Sequence, residues 1–74
     1  MADKTLIALG MKCPRPLFEV HRFIKELSPG QTLKVLADDP AFRLDIEAWC
    51  RRTGHTLVEI AVRGDHMEAL ITRA

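Results

Sequence analysis

The apolar and polar residues of this chain recur with two different periods, which predict four strands and two helices. Alternating or continuously apolar short runs are typical of strands, whereas apolar residues at every third or fourth position are typical of helices. The predicted strands cover residues 5–9, 32–37, 55–62 and 66–72, and the predicted helices cover residues 14–28 and 40–53. A glycine or a proline lies in, or directly next to, every connection between these segments, which supports their limits.

Each predicted helix has one apolar face. In the first helix it consists of Leu17, Val20, Ile24 and Leu27. In the second helix it consists of Phe42, Ile46, Trp49, Cys50 and Thr53. Asp39 is predicted to cap the second helix, with Pro40 as its first residue, because both residue types are favoured at these positions.

The order of the elements predicts the architecture. Two strand–helix units followed by a hairpin give β-α-β-α-β-β, which predicts an α/β (α+β) two-layer sandwich with a mixed four-stranded sheet and two helices on one face. In the third strand, we expect Val58, Ile60 and Val62 to face the core. The whole chain, residues 1–74, is expected to be one domain. The order of the strands in the sheet stays open.

Length and charge exclude several classes of protein. The net charge of +1 gives no broad basic surface for nucleic acids or membranes. No apolar run approaches the ~20 residues of a membrane span, and the first residues lack the pattern of a signal peptide. The two cysteines are too few and too far apart for a disulfide framework. We therefore expect a small cytoplasmic monomer with free thiols and no cofactor, membrane partner or direct nucleic-acid partner.

Cys13 lies where the first strand gives way to the first helix, in the run Gly-Met-Lys-Cys-Pro-Arg-Pro. Proline is tolerated in the first turn of a helix, where the N–H groups have no intrahelical partner. The sequence therefore predicts Cys13 at or next to the N-cap, Pro14 at the first helical position and Pro16 at the third.

This position favours a reactive cysteine. The N–H groups of Arg15 and Leu17 would point toward the sulfur, and Lys12 and Arg15 would add positive charge. Both effects stabilise the thiolate, which is the reactive form, and predict a moderately lowered pKa for Cys13. The alternative is that Cys13 is a small apolar residue packed at a strand–helix junction.

The other candidate residues have structural explanations beside the functional ones. Asp38 has no local role after the second strand and is kept as a candidate contact for a partner. Asp45 lies beside the core face of the second helix and is assigned to a buried network or an interface. Cys50 lies on that core face and is predicted to be structural. No metal site is expected, because the candidate ligands lack the close-pair spacing of zinc sites: Cys13, Cys50, His21, His55 and His66.

The chain resembles a known family at these positions. The run Leu9-Gly10-x-x-Cys13-Pro14-x-Pro16 resembles the signature of the TusA (SirA-like) sulfur-carrier family. The resemblance covers residues 5–73 and includes Pro29-Gly30, the run Ala-Asp-Asp-Pro-Ala at 37–41, Asp45-Ile46, Cys50 and Gly54-His55.

The resemblance implies a cytoplasmic sulfurtransferase-type carrier with this same fold. By the motif match, Cys13 would accept sulfane sulfur as a persulfide and pass it to an acceptor protein, whereas Cys50 would not be the carrier. The implied donor is a cysteine desulfurase or a rhodanese-like protein. In the best-known branch the relay ends in 2-thiouridine in tRNA; other branches serve molybdenum-cofactor assembly or the oxidation of reduced sulfur compounds.

A carrier also needs a surface on which donor and acceptor dock in turn. Lys12, Arg15 and Arg22 are expected to give that surface a positive rim. Two alternatives stay open. The chain could be a regulatory or protein/RNA-binding module in which Cys13 is structural, or a redox protein in which Cys13 pairs with Cys50.

Overall fold

The computed structural model describes residues 2–74, which contain four strands and two helices in the predicted order. The elements are β1 (Lys4–Ala8), α1 (Arg15–Ile24), β2 (Thr32–Ala37), α2 (Phe42–Thr53), β3 (Thr56–Arg63) and β4 (His66–Thr72). Among these residues, neither helix has the length and apolar character needed to cross a membrane.

The four strands form one mixed sheet in the order β1-β2-β4-β3. β1 and β2 are parallel, with Leu6 opposite Val35 and Ala8 opposite Ala37. β4 is antiparallel to both of its neighbours, so β2 and β3 run in the same direction on either side of it. The predicted mixed four-stranded sheet is confirmed, and the structure supplies the strand order that the sequence left open.

The core lies on one face of the sheet. Alternate residues of the two inner strands are buried there, with Leu33 and Val35 from β2 and Ala69 and Ile71 from β4. The helices contribute apolar side chains to the same cluster: Val20, Ile24, Phe42, Ile46, Trp49 and Cys50. Because both helices share this cluster, they lie on the same face, as the two-layer prediction requires.

The other face of the sheet is open to solvent. Ile7 of β1 is 56% exposed there. Glu68 of β4 forms ion pairs with Lys34 at 3.2 Å and Arg63 at 3.9 Å, and the Lys34 ammonium lowers the pKa of its carboxyl group. The exposed face is therefore covered by a charged network as well as by scattered apolar side chains.

Helix α1 is shorter than predicted. It starts at Arg15 with Pro14 as its cap, so Pro16 occupies the second helical position and Cys13 lies one residue outside the cap. After Ile24 the chain continues in tight turns, because the next N–H groups bond to carbonyls three residues back instead of four. Leu27 is nevertheless buried, as its place on the apolar face predicts.

Helix α2 begins two residues later than predicted, with Ala41 and not Asp39 at its cap. The Phe42 N–H bonds to the Asp39 carbonyl at 2.9 Å, so a separate turn precedes the helix. At the other end, Thr53 is exposed and donates its hydroxyl to the Trp49 carbonyl at 2.8 Å, so its predicted place in the core is wrong. Gly54 ends the helix with φ 86°, a left-handed conformation that favours glycine.

A bulge in β3 changes which side chains face the core. Leu57 lies opposite Ile71 and Glu59 lies opposite Leu70, so Val58 is an extra residue between them. Val58 is 52% exposed, while Leu57 packs against the core. Val62, near the hairpin of this edge strand, is 68% exposed. Of the three predicted core residues, Ile60 alone packs there.

Candidate functional site

The loop that carries Cys13 lies at the carboxyl edge of the parallel strand pair. Parallel strands end at the same edge of a sheet, so the loop after β1 lies beside the loop after β2. Gly10 has φ 79° and allows the chain to turn back, and the Met11 N–H bonds to the Ala8 carbonyl at 3.3 Å. The turn leaves the Cys13 side chain exposed. The Cys13–Pro14 peptide bond is cis.

Two carboxylates in the loop after β2 accept hydrogen bonds from the backbone of the Cys13 loop. Asp38 Oδ1 accepts the Gly10 N–H at 3.0 Å, and Asp39 Oδ2 accepts the Cys13 N–H at 2.5 Å. The other Asp39 oxygen accepts the Ala41 N–H at 3.1 Å, and these two backbone donors lower the pKa of the Asp39 carboxyl group. Asp39 thus fastens the turn before α2 and the backbone of Cys13 at the same time.

A third carboxylate contacts the sulfur itself. Asp45 lies in the first turns of α2, one residue before the fully buried Ile46. Its Oδ2 accepts a hydrogen bond from Cys13 Sγ. The cysteine is therefore fixed at two points by acidic side chains, its N–H by Asp39 and its thiol by Asp45.

The pKa of Cys13 is raised to about 11, in contrast to the lowered value that the sequence predicts. The hydrogen bond to Asp45 is the largest cause, followed by partial desolvation and by the negative charges of Asp45 and Asp39. A carboxylate next to a thiol disfavours a second negative charge. The resting site therefore holds a protonated thiol.

The backbone N–H groups expected to support a thiolate are directed elsewhere. The Arg15 N–H bonds to the Lys12 carbonyl at 2.9 Å, and the Leu17 N–H bonds to the Pro14 carbonyl at 3.0 Å. Because Cys13 lies before the cap, these donors close turns of the main chain and do not support the sulfur. This part of the predicted site is wrong.

The remaining motif residues differ in exposure. Pro16 is buried under the loop and Leu17 is partly buried against the core, so both anchor the start of α1. Lys12 and Arg15 are exposed on either side of Cys13 in the chain. Arg22 is also exposed, but its guanidinium bonds to Glu19 at 2.5 Å, so its charge is partly neutralised.

Cys50 lies in a different environment. It is 4% exposed within the core cluster, and burial raises its pKa to about 11. Both cysteines are free thiols. Cys13 is thus the exposed thiol and Cys50 the buried one. Within residues 2–74, no three His, Cys, Asp or Glu side chains come together in a way that could hold a metal ion.

Sequence reasoning missed the pairing of Cys13 with Asp45. The two residues are 32 positions apart, and they meet because β1 and β2 are parallel neighbours. The one available signal was the place of Asp45 beside the apolar face near the start of the second helix.

Two comparisons with known proteins agree with the resemblance. The family model described as Sulfurtransferase TusA matches residues 4–73. Among solved structures, a SirA-like protein from Desulfitobacterium hafniense is 25% identical, with a TM-score of 0.82 over 93% of this chain and 95% of that chain. The family-model match includes the Cys13 loop, the four strands and both helices. Because the family model spans nearly all of the sequence, this chain belongs to the TusA sulfurtransferase family.

Proposed function

We propose that this protein is a sulfur carrier that accepts sulfane sulfur as a persulfide on Cys13 and delivers it to an acceptor protein. The observation that carries this proposal is the exposed Cys13 thiol, held at its N–H and its sulfur by Asp39 and Asp45, in a chain of the TusA family. An exposed thiol is accessible to a protein-bound persulfide, whereas the buried Cys50 is not.

The transfer is an exchange between sulfur atoms. Cys13 Sγ attacks the terminal sulfur of the donor persulfide, a new S–S bond forms, and the donor's own S–S bond breaks. The donor sulfur leaves with the electron pair of that bond. An acceptor thiol then attacks the terminal sulfur on Cys13 in the same way. No external oxidant is needed, because the sulfane sulfur keeps its oxidation level.

We assign the protein to a cytoplasmic relay that ends in 2-thiouridine in tRNA, with a cysteine desulfurase or a rhodanese-like protein as donor and a relay protein as acceptor. The carrier would act as a monomer and would not bind the tRNA itself, in keeping with its net charge of +1. Cells that lack the protein should lose 2-thiouridine and keep molybdenum-enzyme activity and sulfur oxidation. The opposite pattern would assign it to another branch.

Loading of sulfur tests the proposal directly. The protein should gain the mass of one sulfur atom when incubated with a cysteine desulfurase and cysteine, and a thiol reductant should remove it. Intact-protein mass spectrometry measures this change. The control is the same incubation with the desulfurase but without cysteine. Polysulfide, or thiosulfate with a rhodanese-like protein, serves as a second donor. If no donor adds sulfur, the protein is a binding module instead of a carrier.

The proposed docking surface is the positive rim formed by Lys12 and Arg15, with a smaller contribution from Arg22, which is paired with Glu19. The Asp38 carboxylate already accepts the Gly10 N–H, so we propose that it supports the loop on which a partner docks. Charges at the rim of an interface act mainly on the association rate.

Reversing both rim charges should slow association with the donor. For Lys12→Glu combined with Arg15→Glu, we expect the association rate at low salt to fall about tenfold or more, and the difference to shrink above 0.1 M salt, where the screening length is about 10 Å. Stopped-flow or surface-binding kinetics measure this rate. Arg51→Glu with Arg52→Glu, in the last turn of α2, changes the net charge equally and is the control. Equal rates for the two double variants would contradict the rim.

A further inference from the structure

The Asp45 carboxylate has a single partner in the structure. Among residues 2–74, its hydrogen bond to Cys13 Sγ is the only one that its side chain makes, and it forms no ion pair there. It does not cap α2, whose N-terminus has no side-chain cap. Asp39, by contrast, accepts two backbone N–H groups and so has a clear structural task. Its negative charge in the first turn of α2 favours the helix, but that effect does not require the contact with the sulfur.

That placement has a chemical consequence for a carrier. A thiol must lose its proton before or while it attacks sulfur, because the thiolate is the nucleophile. The carboxylates of Asp45 and Asp39 oppose a free thiolate, and Lys12 and Arg15 do not outweigh them, since the pKa of Cys13 is about 11. A free thiolate is therefore rare at neutral pH, and a proton acceptor within hydrogen-bond reach of the thiol would speed its attack on a persulfide.

We propose that Asp45 is the general base that takes the proton from each attacking thiol, and the general acid that gives it to the sulfur atom that leaves. The inference rests on the proposed carrier function. It adds a second catalytic residue, one that touches the reacting atom and comes from a different element of the fold.

Protons balance both when sulfur is loaded onto Cys13 and when it is delivered. On loading, Sγ gives its proton to Asp45 Oδ2 and forms a bond to the terminal sulfur of the donor. The donor sulfur leaves with the electron pair of the broken bond and takes up the proton from Asp45. On delivery, the acceptor thiol loses its proton to the carboxylate and attacks the terminal sulfur. Cys13 Sγ leaves with the electron pair and recovers the proton from Asp45.

The substitution Asp45→Asn separates this role from a purely electrostatic one. An amide cannot take the proton, but it also removes the charge that disfavours the thiolate. The variant should therefore be alkylated faster by iodoacetamide near neutral pH, because the pKa of Cys13 moves from about 11 back toward 9.0. Sulfur transfer should not follow that increase, because the proton acceptor is lost.

The decisive quantity is the ratio of the loading rate to the alkylation rate. Loading is measured with glutathione persulfide, a small donor that removes any effect of protein docking. For Asp45→Asn we expect the ratio to fall about 100-fold or more, the usual contribution of a positioned base. Glu47→Gln is the matched control, since it removes one charge from the same helix at a residue paired with Arg43. Its ratio should equal that of the wild type.

An unchanged ratio in Asp45→Asn would overturn the inference. Asp45 would then only disfavour ionisation of the Cys13 thiol. A second measurement uses the wild type alone, so it does not depend on how the variant folds. The loading-to-alkylation ratio should be lower in D2O than in H2O, because a proton moves during the attack, and an equal ratio would count against the inference. Failure of the wild type to load any sulfur would instead reject the carrier function.

Discussion

Sulfur loading should be abolished when Cys13 is replaced by serine. A serine hydroxyl is only slightly smaller than the thiol and can also donate a hydrogen bond to Asp45, but it cannot form a persulfide and is a far weaker nucleophile at neutral pH. We therefore expect complete loss of the added sulfur atom and of transfer to the acceptor. Intact-protein mass spectrometry after incubation with a desulfurase and cysteine measures this result.

Cys50→Ala is the matched control for that experiment. Alanine avoids the cost of burying a hydroxyl at a position that is 4% exposed, and it should leave loading unchanged. Both variants need native circular dichroism before comparison. Loading that persists in Cys13→Ser and disappears in Cys50→Ala would reassign the carrier. If both variants lost sulfur transfer, a redox pair of the two cysteines would become the better explanation.

The second large effect concerns stability. Ile71 is fully buried in the inner strand β4, opposite Leu33 on one side and Leu57 on the other. Replacing it with alanine removes apolar contacts and leaves a cavity, so the free energy of unfolding should fall by about 2–5 kcal/mol. A domain of this size has only about 5 kcal/mol available in total, so Ile71→Ala should be partly unfolded at 37 °C.

The same substitution on the open face provides the control. Ile7 is 56% exposed in β1, so Ile7→Ala should cost about 1 kcal/mol or less, the range of strand propensities. Urea unfolding followed by the fluorescence of Trp49, which is 5% exposed, measures both variants. Equal losses of stability would contradict the assignment of one buried and one open face.

The fold could be predicted because its elements repeat simple patterns. Val20, Ile24 and Leu27 recur at helical spacing, and Leu33 and Val35 alternate along a strand, so their buried faces follow from periodicity. The bulge at Val58 could not be predicted this way, because one inserted residue shifts the alternation without altering the composition. The strand order depends on how distant segments pair, and no local pattern records it.

The site was only partly predictable for a similar reason. The exposed Cys13 at the strand–helix junction follows from local signals, chiefly the two prolines after it. The charged groups around the Cys13 sulfur do not follow from local signals. Lys12 and Arg15 are its neighbours in the sequence, whereas Asp45 is its neighbour only in the folded structure. The predicted sign of the Cys13 pKa shift was therefore wrong, although the predicted position of Cys13 next to the N-cap of the first helix was correct.

The inner position of β4 also bears on how the chain folds during synthesis. A ribosome makes the residues in order, yet β2 and β3 are joined in the sheet only through β4, the last strand of the fold. A nascent chain that has reached β3 can pair β1 with β2, but β3 has no strand partner yet. The domain therefore completes its sheet only after residues 66–72 leave the exit tunnel, and until then the backbone edges of β2 and β3 that pair with β4 stay unpaired.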